Sequence, residues 1–177
     1  YYGTSIAQGG CASRPGMAHT AILGRWLDCP VINLGFSGNG TMDPELVEFM
    51  GELDPAAYVI DCLPNMTAEA VAERTVPLVR ILRQARPSAP IVLVEDRTAT
   101  NARFLPGTRQ AHLDKRAALR AGFDELASGD PHLHYMPGSD FMGDDGEATV
   151  DGSHPTDLGF LRQAGCMRPL LKQILGG

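Results

Sequence analysis

Two short, uninterrupted apolar runs constrain the fold of this chain more than any other feature. They read Tyr58-Val59-Ile60 and Ile91-Val92-Leu93-Val94, without the apolar–polar alternation of a strand that has one solvent-exposed face. Continuous apolar runs of this length are typical of strands buried on both faces, as in parallel sheets covered by helices. These two runs predict strands at residues 57–63 and 90–95, and two weaker apolar runs predict strands at residues 30–34 and 132–136.

Segments of helical period separate these strands. Thr67 can cap a helix with Glu69 in its first turn, although Pro77 should kink that helix. Further helices are predicted at about 17–27, at about 109–128 and from Thr156 onward, the last with an apolar stripe of Phe160, Leu161, Ala164, Leu171 and Ile174. Strands that alternate with helices indicate right-handed βαβ units, so the predicted fold class is α/β, in three layers with about five parallel strands.

The first strand of such a sheet is incomplete in the sequence. Tyr1-Tyr2 is too short to form a core strand, yet Gly3-Thr4-Ser5 has the composition of the turn that follows one. We therefore expect the first strand to begin upstream of Tyr1.

Length, charge and cysteine spacing exclude several classes of function. The 177 residues suit one domain, predicted here as residues 1–177, and no apolar run approaches the roughly 20 residues that span a bilayer. The net charge of −6, without a lysine or arginine cluster, argues against a nucleic-acid partner. The four cysteines include no C-x-x-C pair, which argues against a disulfide scaffold or a zinc site. The compartment stays open.

Polar residues follow the predicted strands where each one ends. Ser5 follows the first strand, Gly38 lies in a Gly-rich turn after the second, and Asn65 follows the third. Asp151 and His154 lie in the long loop after the fifth. Because ligands bind outside the carboxyl ends of strands in open α/β sheets, we expect these residues on one rim. A hydroxyl, free N–H groups, a carboxamide and a carboxylate–imidazole pair are the parts needed for nucleophilic acyl transfer.

The same residues carry a family resemblance that spans nearly the whole chain. Four segments resemble, in order, the four sequence blocks of the SGNH, or GDSL-type, serine esterase superfamily: Gly3-Thr4-Ser5-Ile6, the stretch 33–39 around Gly38, Asn65, and Asp151-Gly152-Ser153-His154. The resemblance implies a flavodoxin-like sheet of five parallel strands.

Two positions depart from the usual blocks of that superfamily. Thr4 stands where the family has an Asp before its serine, and Leu63-Pro64-Asn65-Met66 stands where it has Gly-x-Asn-Asp. Both departures resemble a sub-branch in which a β-rich domain precedes the catalytic one. We therefore expect residues 1–177 to be the catalytic, C-terminal domain of a longer protein.

The resemblance also implies a role for each residue. Ser5 would be the nucleophile, His154 the general base, and Asp151 the group that orients His154, although several of these enzymes use a backbone carbonyl instead. The oxyanion hole would consist of the backbone N–H groups of Ser5 and Gly38 and the side-chain amide of Asn65. No metal and no organic cofactor are implied.

Three other patterns suggest competing or additional sites. Ser37 is the alternative nucleophile, because Gly35-Phe36-Ser37-Gly38-Asn39 misses the G-x-S-x-G elbow by one residue. His132 and His134 share one side of a strand and would form part of a metal site if a third ligand were present. Three arginines flank the loop after the fourth strand, where they would line a substrate cleft: Arg97, Arg103 and Arg109.

These patterns favour a serine-dependent acyl-transfer enzyme with a small-molecule ester or acyl donor and an acceptor as partners. As the resemblance suggests, the predicted reaction is hydrolysis of acetyl or other short acyl esters through an acyl-serine. The alternative is an acyltransferase that moves an acyl group, for instance from acyl-CoA, to a hydroxyl of a sugar or natural product. A third interpretation is a non-catalytic binding domain that keeps the same fold.

Overall fold

The computed structural model describes residues 1–176 and has a five-stranded sheet at its centre. Its strands are β1 (Tyr2–Gly3), β2 (Leu34–Gly35), β3 (Tyr58–Asp61), β4 (Ile91–Val94) and β5 (Leu133–Met136). All neighbouring strands are parallel, and their order is β2-β1-β3-β4-β5. The predicted α/β class and flavodoxin-like parallel sheet are therefore confirmed.

Within residues 1–176, six α-helices connect and cover the strands. They are α1 (Ser5–Gln8), α2 (His19–Leu27), α3 (Pro44–Gly51), α4 (Ala68–Ala85), α5 (Pro106–Ala127) and α6 (Asp157–Ile174), with short 3-10 helices at Pro15–Met17 and Leu63–Asn65. Two predicted helix starts are confirmed, because the Thr67 hydroxyl accepts the Ala70 N–H at 3.3 Å and the Thr156 hydroxyl accepts the Gly159 N–H at 3.2 Å. Helix α4 passes through Pro77 as one helix.

The helices form one layer on each face of the sheet. On one face, α3, α4 and α5 pack over Ile60 and Leu93; on the other, α2 and α6 pack over Val59 and Val92. These four side chains are at most 7% exposed, as continuous apolar runs require when both faces of a strand are covered. The three-layer arrangement predicted from the sequence is therefore present.

Several predicted boundaries were wrong. Of the predicted strand 30–34, only Leu34 is a strand residue; it lies opposite Tyr2 in the edge strand β2. Helix α3 was not predicted, since eight residues give little periodic signal. Leu161 was placed on the buried stripe of α6 but is 43% exposed, whereas Met167 is fully buried.

The strand order also fixes where the loops meet. The chain moves from β1 to β2 on one side of β1 and then returns to β3 on the other side, so the connections diverge at β1. In open α/β sheets, the crevice at such a switch point is where ligands bind. Within residues 1–176, no helix has both the length and the apolar character needed to cross a membrane.

Candidate active site

Ser5 lies at the switch point, as the first residue of α1 and two residues after the end of β1. Thr4 caps this short helix: its backbone is extended and its hydroxyl accepts the Ile6 N–H at 3.2 Å. Thr4 is fully buried, whereas Ser5 is partly exposed. A one-residue change from strand to helix thus turns the Ser5 side chain toward the rim.

The structure brings the three residues of the predicted triad into one hydrogen-bonded chain. Ser5 Oγ lies 2.9 Å from His154 Nε2, and His154 Nδ1 lies 2.7 Å from Asp151 Oδ2. Ser5 and His154 are 149 positions apart in sequence, so this contact depends on the whole fold. The geometry is that of a nucleophile, a base and a group that orients the base.

A compact loop holds Asp151 and His154, the acidic and the basic member of the predicted triad, close together. The other carboxylate oxygen of Asp151 accepts the backbone N–H groups of Ser153 and His154, at 2.9 and 2.7 Å. This fold-back requires Gly152 at φ +93°, a conformation that side-chain-bearing residues rarely adopt. The Val150 N–H donates to the His154 carbonyl at 2.8 Å and closes the loop.

The segment after β4 supports this loop from outside. The Thr100 N–H donates to the Gly152 carbonyl at 3.1 Å, and the hydroxyls of Thr100 and Thr149 contact each other. Asn101 packs so closely that a Cβ on Gly152 would lie 2.3 Å from its Nδ2. Thr100 and Asn101 were not among the predicted site residues, because nothing local marks a loop residue as support for a loop 50 positions away.

Hydrogen bonding also sets the charge and tautomer of the pair. The backbone N–H of His154, more than any other group, lowers the pKa of Asp151 from 3.8 to about 2. An ionised carboxylate can only accept, so the proton between the two side chains belongs to His154 Nδ1. His154 Nε2 is then free to accept the Ser5 hydroxyl proton.

The Gly-rich turn after β2 lies against the Ser5 turn. The Phe36 N–H donates to the Gly3 carbonyl at 2.9 Å, and a Cβ on Gly40 would lie 2.1 Å from that same carbonyl oxygen. Only glycine permits this approach. Between them, Gly38 has φ +74° and is exposed on the rim.

Asn65 joins the same turn. One terminal atom of its amide lies 3.2 Å from the backbone nitrogens of Gly38, Asn39 and Gly40. With nitrogen at that position, the amide donates to the Phe36 carbonyl at 3.3 Å. The N–H groups of Asn39 and Gly40 already donate to that carbonyl, at 3.1 and 3.0 Å. With oxygen at that position instead, the amide accepts the N–H groups of Gly38, Asn39 and Gly40, and its nitrogen faces acceptors at the other end, so this orientation satisfies both amide atoms. Asn65 thus lies beside Gly38.

A buried polar network lies beneath the site, at the carboxyl end of β3. The Asp61 carboxylate accepts the Tyr1 hydroxyl at 2.8 Å, Arg97 at 3.3 Å and the Gln163 amide at 3.4 Å. Burial, opposed by Arg97, raises the pKa of Asp61 to about 6. A carboxylate that ends a wholly apolar run was the available sequence signal for this network.

Arg97 does not line a cleft, contrary to one sequence interpretation. It is 3% exposed and pairs with Asp61, and it also lies 4.0 Å from Asp96. Burial alone would raise the pKa of Asp96, but His112, Lys115 and Arg97 outweigh that effect and lower it to about 2. The other two arginines, Arg103 and Arg109, are exposed.

The remaining alternatives gain no support from the geometry. Within residues 1–176, Ser37 makes no side-chain hydrogen bond to a histidine, whereas Ser5 does. The same residues hold no group of three or more metal-binding side chains, so His132 and His134 have no third ligand nearby. An apolar cavity of about 360 Å³ lies at the opposite end of the sheet and touches none of the five predicted site residues.

The chain is similar to known proteins in both sequence and fold. The sequence profile of the GDSL-like lipase/acylhydrolase family matches residues 1–172. A crystal structure of a GDSL-like lipase from Bacteroides ovatus is 38% identical, with a TM-score of 0.95 over 99% of this chain and 52% of that chain. No individual curated protein sequence matches the chain significantly.

More distant solved structures share the fold alone. A salicylyl-acyltransferase from a tetracycline biosynthetic pathway is 21% identical, with a TM-score of 0.82 over 96% of this chain and 52% of that chain. A family two carbohydrate esterase from Clostridium thermocellum is 17% identical, with a TM-score of 0.73 over 98% and 63%. The chain thus spans about half to two thirds of the length of these structures.

Proposed function

Because the chain belongs to the GDSL-like lipase/acylhydrolase family and is therefore an enzyme, we propose that it hydrolyses small carboxylic esters through an acyl-serine on Ser5. The observation that carries this proposal is the continuous hydrogen-bonded chain from Ser5 Oγ through the His154 imidazole to Asp151, at 2.9 and 2.7 Å.

In the first half of the reaction, Ser5 Oγ attacks the ester carbonyl carbon while its proton passes to His154 Nε2. The imidazolium that forms is stabilised by Asp151, which stays ionised because its pKa is lowered to about 2. The tetrahedral intermediate then collapses, the C–O bond to the alcohol breaks, and His154 returns the proton to the leaving oxygen. The acyl group remains on Ser5.

The negative oxygen of the intermediate needs donors that are already in place. We assign this role to the backbone N–H groups of Ser5 and Gly38 and to the side-chain amide of Asn65. Ser5 begins α1, so its N–H has no acceptor within the helix. Such preorganised donors typically contribute about 10²–10³ each to turnover.

The openness of the site favours water as the second nucleophile. A third of the His154 side chain and half of the Asp151 side chain are exposed, so water can reach the base that would activate it. The acyl-serine is then hydrolysed by the same proton transfers in reverse. Acetylated carbohydrates are a reasonable first substrate class, because some structural neighbours carry the name carbohydrate esterase. The acyltransferase neighbour makes transfer to an alcohol the alternative outcome.

The test compares the native chain with Ser5→Ala, using p-nitrophenyl acetate, butyrate and octanoate with and without alcohol acceptors. We expect Ser5→Ala to lower kcat at least about 10³-fold, because the nucleophile is lost. Ser37→Ala is the matched control and should keep native activity. A fluorophosphonate should label the native chain and Ser37→Ala, but not Ser5→Ala.

The products decide between the two reactions. Free acid as the main product with acceptors present supports hydrolysis, and acylated acceptor as the main product supports transfer. Full activity of Ser5→Ala together with loss in Ser37→Ala would overturn the assignment of the nucleophile.

A further inference from the structure

A buried lysine connects the carboxyl end of β4 to the segment that carries Asn65. Lys115 and Leu119 are the buried residues of α5, one turn apart on the face that packs on the core. Lysine side chains usually keep their ammonium group in water. Lys115 is instead 8% exposed, and its Nζ contacts the Asp96 carboxylate and donates to the Leu63 carbonyl at 3.0 Å. The ammonium group therefore joins two segments that follow different strands.

The Asp96 carboxylate orients this ammonium group. Asp96 is 1% exposed and lies two residues after the end of β4. Its Oδ2 atom contacts Lys115 Nζ and lies 2.6 Å from His112 Nδ1. Burial raises the pKa of such a carboxyl group, but His112 and Lys115 help to outweigh burial and lower the pKa to about 2. The carboxylate is therefore ionised and holds Lys115 Nζ in one place.

The acceptor of Lys115 belongs to the turn that presents Asn65. The Leu63 carbonyl also accepts the Met66 N–H at 3.1 Å and so closes a 3-10 turn of residues 63–66, the Asn65 turn. A single 3-10 turn has poor hydrogen-bond geometry, so little within the segment fixes its position. The ammonium group uses the second lone pair of the Leu63 carbonyl, and this charge-assisted bond ties the start of the turn to the end of β4.

The Asn65 turn is thus held from two sides. On one side, a terminal atom of the Asn65 amide lies 3.2 Å from the Gly38 nitrogen and 3.3 Å from the Phe36 carbonyl oxygen. On the other side, Lys115 holds the first carbonyl of the turn. An oxyanion donor must be in place before charge develops, because a misplaced donor stabilises the intermediate less.

We propose that Lys115 is a positioning residue, which fixes the Asn65 turn so that the Asn65 amide reaches the oxyanion. This inference rests on the proposed function. Stability alone does not explain the Lys115–Asp96 pair, because replacing a buried ion pair by apolar groups of similar size is often neutral or stabilising. What an apolar side chain cannot replace is the hydrogen bond to the Leu63 carbonyl. The effect of Lys115 on catalysis is therefore separable from its effect on folding.

The test is a double-mutant cycle between Lys115 and Asn65, measured by steady-state kinetics with p-nitrophenyl acetate. Lys115→Met keeps an unbranched side chain and removes the ammonium group. We expect it to lower kcat about tenfold with KM within about twofold, because the displaced donor acts on the tetrahedral intermediate. In the Asn65→Ala background, the same substitution should change kcat by less than about twofold, because the donor that Lys115 positions is already absent.

Arg116→Met is the matched control. Arg116 is the next residue of α5, and its side chain donates to the Asp96 backbone carbonyl and to the Thr98 hydroxyl, both at 2.8 Å. Among the residues that the structure describes, it makes no hydrogen bond to the Asn65 turn. Any change in kcat that Arg116→Met causes should therefore be the same in the native and Asn65→Ala backgrounds.

A second variant separates positioning from loss of stability. Lys115→Met leaves the Asp96 carboxylate buried without its ammonium partner, which lowers stability. Lys115→Met combined with Asp96→Asn removes both charges and should show the same coupling to Asn65. Tm is measured for every variant, and all assays are run below the lowest Tm of the set.

Three outcomes would overturn this proposal alone, provided that Ser5→Ala is inactive. Lys115→Met keeps native kcat, Asn65→Ala keeps native kcat, or Lys115→Met lowers kcat by the same factor in both backgrounds. Native activity of Ser5→Ala would instead overturn the proposed function, and the role of Lys115 with it.

Discussion

The orientation of one carboxamide determines what Asn65 can do. With oxygen toward Gly38, the amide accepts the backbone N–H groups of Gly38, Asn39 and Gly40 at 3.2 Å. Its nitrogen then occupies the other terminal position, where it faces acceptors and remains a donor. The proposed stabilisation of an oxyanion relies on that nitrogen.

Asn65→Ala is therefore expected to lower kcat by about 10²–10³ with little change in KM, because the lost donor acts on the tetrahedral intermediate more than on the ester. Asn39→Ala is the matched control, since its amide bonds only the nearby Ser37 carbonyl within the described residues. Steady-state kinetics with p-nitrophenyl acetate measure both. Equal effects of the two substitutions would contradict the assignment.

At the scale of elements, the triad depends on one loop pressed against another. The loop 148–156 closes on itself through the bridge between Thr149 and Pro155, and the segment after β4 supports it at Gly152. Two requirements meet at Gly152: a positive φ and no room for a Cβ beside Asn101. Together they set the position of His154.

Gly152→Ala is expected to cost about 1–3 kcal/mol of local strain and to lower kcat roughly 10²-fold by displacing His154. Adding Asn101→Ala removes the clash but not the strained φ, so the double variant should regain part of the activity. Asn101→Ala alone is the control. The prediction fails if Gly152→Ala retains native kcat at native Tm.

At the scale of the whole molecule, one buried network joins both ends of the chain to the centre of the sheet. Asp61 of β3 binds Tyr1, and the Tyr1 hydroxyl also bonds His19 Nε2 of α2 at 2.8 Å. Burial raises the pKa of Asp61 to about 6 and lowers that of His19 to about 3. The two groups therefore respond to pH in opposite directions.

The sign of each contribution follows from proton linkage. The folded chain binds the Asp61 proton more tightly than the unfolded chain, so this contribution to stability is full below about pH 4 and is lost as pH rises to 6. For His19 the unfolded chain binds the proton more tightly, so stability falls as pH drops from about 6.5 to 3. Between pH 4 and 6 the two contributions largely cancel.

In the Asp61→Asn variant, the Asp61 contribution to the pH dependence of stability is removed and that of His19 remains. From pH 6 to 4, its free energy of unfolding is expected to fall by about 2–3 kcal/mol more than that of the native chain, at about 1.4 kcal/mol per pH unit. Urea unfolding at both pH values measures this within each variant. Parallel pH dependence in the native chain and Asp61→Asn would contradict the prediction.

Local pattern was enough to predict much of this protein. Continuous apolar runs predicted β3 and β4 because burial on both faces removes any polar alternation, and Thr67 and Thr156 marked helix starts because capping is a contact within one turn. The parallel order of elements then predicted that Ser5, Gly38, Asn65 and the Asp151–His154 pair would share a rim, since every parallel strand ends on the same side.

The tertiary structure decided what depends on partners far apart in sequence. Arg97 lies 36 positions from Asp61, so the sequence could not distinguish a buried ion pair from a cleft arginine. The support of Gly152 by Thr100 and Asn101 depends on the approach of two loops about 50 positions apart in sequence. Local propensity acts within a few residues, whereas these features follow from how the sheet brings distant backbone together.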